Sequence, residues 1–295
     1  MHKILSNKFT IFLLVFPGIV LFMFAIFVPI FLSIYYGMTN YSGMGTYNFL
    51  GLKNFESIFT NDPTFWRSVL NAVLLGLGFV FLQHPFCVAF AILLDRIGNK
   101  IEKVYRTVFF IPCVIATVIT TKMWVNILDP NVGLLNKLLG AVGLGALKQE
   151  WLGNTKTALL SVLFICIWQG FGWGMLIYYS GLKGISEELY EAARIDGATS
   201  VQVYTRITIP LLKPVIRINV TLAMIAALKQ METVYIATGG GPGDTTQFLA
   251  NYLYIRAFSR FEYGYANAIS VIFVIICLLA TLLSNKLLKS DREGY

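Results

Sequence analysis

The stretch EAARIDGATSVQVYTRITIPL, residues 191–211, stands between two long apolar segments and carries charge that lipid would not accept. Glu191, Arg194 and Asp196 close one short helical run, Gly197 makes a turn, and Pro210 is expected to block further helix before the next apolar segment. Ser186 suits the N-cap of the first helix. Glu187 and Glu188 fall in its opening turn, where the helix dipole favours anions. Gly197 suits the C-terminal position that takes a left-handed conformation, and Thr199 or Ser200 can cap the second helix. Ala192 and Ala193 remove side-chain bulk and would let a partner approach the backbone. These features alone fit an ordinary polar loop between membrane spans equally well.

Working outward, 57% of the 295 residues are hydrophobic and 13% are charged, where soluble domains carry about 25% charge. A soluble core could not hide that much apolar surface, so the chain reads as an integral membrane protein. The formal charge of +8 is dispersed among loops rather than clustered, which fits a membrane and not nucleic acid. Cys87, Cys113, Cys166 and Cys277 each stand alone in apolar runs, without metal or redox spacing. With only His2 and His84 present, neither a histidine metal site nor a Ser-His hydrolase is expected. The first apolar run is too long for a signal-peptide core and is read as a span.

A helical span needs about 20 mostly apolar residues. Six segments meet that: 9–36, 65–94, 104–128, 157–181, 215–238 and 265–288. They are too long for barrel strands, and backbone groups in lipid must pair internally, so all six are read as helices. With the N-terminus inside, fourteen Lys and Arg fall on the inner side against seven on the outer, which supports both termini inside. The inner set includes Lys3, Lys8, Lys289 and Arg292; the outer includes Lys53, Arg67, Arg256 and Arg260. Residues 191–211 then face the cytoplasm. Pro85 and Pro112 should kink the second and third spans. Residues 129–156 read as short interfacial helices with Trp151 near the headgroups. One transmembrane domain over 1–295 is expected, with no linker.

The opening stretch resembles the EAA loop of ABC-importer permeases: Glu-Ala-Ala, then Asp-Gly-Ala, and, with nine residues between it and Gly197, an Ile-x-Ile-Pro starting at Ile207. The blocks Arg106–Pro112, Gly133–Asn136 and Thr238–Pro242, and the external Leu52-Lys53-Asn54-Phe55, are similar to the carbohydrate-uptake branch. The resemblance implies an all-α, six-helix type I importer permease with a cytoplasmic coupling loop at 184–211. It implies that Glu191, Ala192, Ala193, Asp196, Gly197, Ala198, Ile207 and Pro210 meet an ATPase. Its further implications are a second, similar permease forming a heterodimer, two ATPase subunits that hold ATP and Mg, and an extracytoplasmic binding protein. The membrane would be the cytoplasmic membrane of a bacterium or archaeon. The outer loops are too short for the extra periplasmic domain of one maltose permease subunit.

Ionisable residues inside spans are functional candidates. Lys122 can snorkel to the outer interface. Lys229 and Glu232, three apart, can face each other on the fifth helix, either as an internal pair or toward substrate. On the fourth span Cys166, Gly170 and Trp173 recur at i, i+4 and i+7 with Gln169 beside them; on the fifth, Ala223, Ala227 and Gln230 do so, with Thr233 three further on. Small residues open space, Trp can stack on a sugar face and amides can bind hydroxyls. The resemblance places a sugar pocket on these faces, although close helix packing explains the small residues equally well. Gly239–Gly243 lacks the G-x-x-x-x-G-K-[ST] pattern and is read as an external turn. The rival from another class is an ATP-independent secondary transporter, which should show internal repeats that are not evident here. A membrane-embedded enzyme lacks its catalytic constellation.

Overall fold

The computed structural model describes residues 8–97 and 99–287, so Lys3, Lys289, Arg292 and the expected span end at Leu288 lie outside the described residues. The helices are α1 (Lys8–Gly37), α2 (Lys53–Asn61), α3 (Pro63–Gly78), α4 (His84–Ile97), α5 (Asn99–Val114), α6 (Thr117–Ile127), α7 (Leu134–Ala141) and α8 (Ala158–Lys183). They continue as α9 (Glu187–Ile195), α10 (Ser200–Val203), α11 (Ile209–Leu228), α12 (Glu232–Ala237), α13 (Leu249–Tyr254) and α14 (Tyr263–Leu287). Extended pairing among the described residues is limited to one isolated antiparallel bridge, Thr39 with Phe49. Among the described residues, five helices are long and apolar enough to cross a membrane, and a sixth span results if one bent pair is counted as one. The chain is an all-helical, multi-pass membrane protein.

Three expectations about those spans need correcting. The third span is not one kinked helix: α5 and α6 meet at a 96° bend, three residues beyond Pro112. The fifth stops at Leu228 rather than Thr238, and Glu232 begins the separate helix α12. Pro210 does not block helix; Ser200–Leu228 runs as one span-length helix through it. A π-turn over Tyr204–Thr208 makes this possible, closed by the Ile209 N–H donating to the Tyr204 carbonyl. The same device precedes Pro85, where Phe79–Gln83 form a π-turn and the His84 N–H donates to Phe79. Proline has no N–H for the carbonyl four residues back and its ring crowds that carbonyl. A widened turn re-spaces the crowded carbonyl, so the helix passes through.

The chain packs as two compact units. One comprises Met1–Asp62 with Leu253–Ile276. Its α1 carries an apolar surface exposed along its length, Gly37 being the buried residue. The Asn54 amide of the Leu52–Phe55 block clamps the following loop, donating to the Gly37 and Thr39 carbonyls at 2.8 Å each. Asp62 is a buried hub. It accepts from Tyr265 Oη at 2.7 Å and lies 3.5 Å from Arg256, which also pairs with Glu262 at 2.5 Å.

The other comprises Pro63–Tyr252 with Cys277–Tyr295. α4, α5 and α11 pack on α8, around a core of Cys87, Ala91, Leu94, Met175, Tyr178, Tyr179, Leu182 and Leu212. In lipid such packing depends on close approach at small residues. At Gly172 a Cβ would lie 2.1 Å from the Phe109 carbonyl oxygen, so the α5 and α8 backbones touch directly. In the loop after α6, Asp129 accepts backbone N–H bonds from Asn131 at 2.8 Å and Val132 at 2.9 Å. The Val132 and Asn131 bonds hold its carboxyl below the usual range. Asn136 in α7 accepts from the Trp151 indole at 2.9 Å, which fixes that ring within the loop.

Candidate functional site

The polar stretch folds as α9, a bend and α10. Ser186 occupies the N-cap of α9 but makes no side-chain cap bond, so the acidic first turn of Glu187 and Glu188 faces the helix dipole alone. The bend is a Schellman closure: Ala198 N–H donates to Ala193 O at 2.9 Å and Gly197 N–H to Arg194 O at 3.1 Å. Gly197 has φ +75, a value that strains any residue with a Cβ. Thr199 starts α10 with a full capping box, its side chain receiving Gln202 N–H while the Gln202 side chain receives Thr199 N–H. Ala193 is 8% exposed and faces its own chain, whereas Ala192 and Glu191 are exposed. Of the two alanines, only Ala192 is open to a partner. Ile195 and Val201 stand 86% and 71% exposed on either side of the bend, an apolar surface next to charge.

This bent pair is tied to the ends of the spans around a cleft of about 420 Å³. Lys183, closing α8, pairs with Asp95 near the end of α4 at 2.7 Å. Arg96 donates through Nε to Tyr204 Oη at 2.6 Å and lies 4.7 Å above the Tyr204 ring, joining α4 to the π-turn. Thr208 donates to Tyr190 Oη at 3.3 Å, joining the π-turn to α9. Glu102 in α5 accepts from Tyr179 Oη at 2.7 Å and from Arg106 at 3.4 Å. Half-exposed pairs of this kind contribute about 0–1 kcal/mol each. Their effect is geometric: they form a relay from α9 through the π-turn to the end of α4 and from there to the end of α8.

A second cavity, of about 460 Å³, lies among the π-turn of Phe79–Gln83 and helices α4, α5, α8 and α11. Phe79, Gln83, His84, Cys113, Gln169, Gly170, Trp173, Gly174, Asn219, Leu222, Ala223 and Ala226 line it. Most of its polar atoms are engaged within the wall. The Cys113 thiol donates to Gln169 O at 2.8 Å and accepts Trp173 N–H at 3.2 Å; Gln169 Nε2 donates to Thr117 at 3.2 Å. Asn219 donates to Gly174 O at 3.4 Å, and His84 Nδ1 pairs with Tyr178 Oη at 3.0 Å. Gln83 Oε1 and His84 Nε2 are buried without a hydrogen-bond partner.

Of the substrate-path residues expected from the sequence, Gln169, Gly170 and Trp173 share this cavity with Ala223. Lys229, Gln230, Glu232 and Thr233 do not line it. The reason is the end of α11: Lys229 is its C-cap and Met231 the N-cap of α12, so the expected helical face is interrupted before Gln230. Lys229 and Glu232 therefore lie on different elements, and Thr233 is buried against Cys166. Sequence reasoning passed over Gln83, His84 and Asn219 in the cavity, and Asp95, Arg96 and Tyr204 in the cleft. The available signal was an adjacent polar pair, Gln83-His84, inside an otherwise apolar span.

Comparison with known proteins gives a consistent picture. A family model described as "Binding-protein-dependent transport system inner membrane component" matches residues 87–289. A "Probable ABC transporter permease protein" of Bacillus subtilis, YurN, is 36% identical over 98% of this chain and 99% of its own. The "Trehalose/maltose transport system permease protein MalF" of Thermococcus litoralis is 31% identical over 78% of this chain and 76% of its own. Among solved structures, a chain of a bacterial alginate ABC transporter, crystallised with a pentasaccharide-bound periplasmic protein, superposes with a TM-score of 0.83. It covers 97% of this chain and 96% of that one at 22% identity, a likeness of fold.

Proposed function

This chain belongs to the family of binding-protein-dependent transport-system inner-membrane components, and from that membership we propose how it works. It is a permease subunit of an ATP-driven, binding-protein-dependent sugar importer, and it catalyses no reaction itself. The observation that carries the mechanism is the bent pair α9–α10, held between span-length helices and bonded through Tyr190 to the π-turn that leads into α11, which is bonded in turn to the end of α4, itself paired with the end of α8. An ATPase subunit engages the exposed face formed by Glu191, Ala192, Ile195 and Val201. Gly197 keeps the bend, while Asp196 and Ala198 flank it in the same closure. Ile207 and Pro210 set the direction in which α11 leaves. Closure of paired ATPases, which hold ATP and Mg, pushes this lever, and the cavity beside α8 opens alternately to the two sides of the membrane.

A second, similar permease completes the path as a heterodimer, and an extracytoplasmic binding protein delivers the sugar across the cytoplasmic membrane of a bacterium or archaeon. Family membership in binding-protein-dependent transport disfavours the secondary-transporter alternative. The test is ATP hydrolysis and sugar uptake by the reconstituted complex, comparing wild type with Gly197→Pro. Proline removes the N–H that Gly197 gives to Arg194 and cannot adopt φ +75. The variant should assemble with its ATPases yet lose stimulation of hydrolysis by loaded binding protein. Uptake that needs no nucleotide and ignores the substitution would refute the reading.

A further inference from the structure

Resting on the importer reading, we infer that this chain's half of the path takes an uncharged sugar, gripped through a hydroxyl by Gln83 and His84 at the second span. Three observations meet here. Both side chains line the 460 Å³ cavity, and both are more than nine-tenths buried, at 6% and 4% exposure. Gln83 Oε1 and His84 Nε2 have no partner, although a buried polar atom left unpaired costs about 1–3 kcal/mol. Among the described residues, no Asp, Glu, Lys or Arg lines the cavity, so nothing there offsets the charge of a carboxylated sugar.

The ligand chemistry follows from the two free atoms. The glutamine oxygen accepts. The free imidazole nitrogen donates or accepts according to which nitrogen shares the proton with Tyr178. When Nε2 carries the proton, one sugar hydroxyl satisfies both atoms, accepting from His84 and donating to Gln83; in the other tautomer each atom takes the proton of a separate hydroxyl. The remaining wall, with Phe79, Leu222 and Trp173, suits the C–H faces of a pyranose ring. Gly170 sets the width of this contact, since a Cβ there would lie 3.1 Å from Gln83 Nε2.

The test uses the complete importer in proteoliposomes, with partner permease, ATPases and binding protein. The probes are neutral trisaccharides (maltotriose, raffinose, xylotriose) and uronic-acid trimers (trigalacturonate, trimannuronate). Wild type should accumulate a neutral probe with ATP and exclude the uronates. Gln83→Met and His84→Phe, each near the native volume, should lower uptake kcat/KM for that probe at least about tenfold while the ATPases still copurify. Monodeoxy versions of the transported sugar separate contact from packing: wild type should discriminate against one, and the variants should lose that discrimination. Should either variant fail to assemble, Gln83→Glu and His84→Gln, which keep a polar group, decide by the same discrimination. Preference for uronates overturns the substrate class. Unchanged kinetics, or discrimination that survives substitution, overturns the contact. Wild-type uptake that lacks ATP dependence for every probe removes the importer reading itself.

Discussion

Gly172 stands where the Phe109 carbonyl leaves room for a hydrogen atom: an added Cβ would meet that oxygen at 2.1 Å and Phe110 Cα at 2.9 Å. Both neighbours are backbone, so no side-chain rotation relieves the clash. Gly172→Ala should therefore cost stability by about 1–3 kcal/mol or more, read as a lowered melting temperature in detergent, with α5 pushed off α8. Gly145→Ala, where nothing lies within 4 Å, should leave the melt unchanged. A melt unaffected by Gly172→Ala would mean that α5 and α8 are not in backbone contact. In the sequence the two glycines look alike, because what separates them is a neighbour 63 residues away for one and open space for the other. Gly197 was legible for the opposite reason: its demand is local, set by the closure of its own helix and visible in the residues beside it.

Among the elements, the two π-turns that precede prolines carry the most consequence. Each ends two residues ahead of a proline, before His84-Pro85 and Ile209-Pro210, and each lets a span-length helix continue. Helical periodicity, read at a constant 3.6 residues per turn, cannot show such a slip of register, and this is why Pro210 was read as a stop. The same applies to the end of α11, since an apolar run continues through a chain reversal as readily as through a helix. Pro210→Ala removes the ring that forces the wide turn. The helix should then relax toward a regular α-turn and rotate Tyr204 away from Arg96. The expected outcome is unchanged or raised thermal stability, because a helix breaker is gone, with reduced coupling of ATP hydrolysis to uptake. Coupling that stays at the wild-type level would show that the π-turn has no part in the lever.

For the whole molecule, composition carried the membrane class and the approximate spans, because these depend on water and lipid rather than on partners in the fold, and the placement of Lys and Arg predicts both termini inside. The sites were legible in proportion to their locality. The bent pair α9–α10 is contiguous in sequence and was legible there, whereas the cavity collects residues from separate stretches between Phe79 and Ala226 and was legible only along α8 and at Ala223 of α11. Orientation is tested by single cysteines in a background free of the four native ones. Ser200→Cys should react with a membrane-impermeant maleimide only from the cytoplasmic side, and Asn61→Cys only from outside. Reversed labelling would place the lever on the wrong side for ATP.

The 96° turn between α5 and α6 has a consequence for hydration. It interrupts the backbone ladder between Val114 and Thr117, and Pro112 offers no N–H to the Val108 carbonyl. Hydrocarbon tolerates such interrupted backbone only where protein covers it or water reaches it. Cys113, one residue from the end of α5, belongs to the cavity wall, so the break and the cavity adjoin. Protein cover, or water from the adjoining cavity, must therefore satisfy this turn. Water drawn in to solvate the bare carbonyls would already stand at the threshold of the path before any cargo arrives.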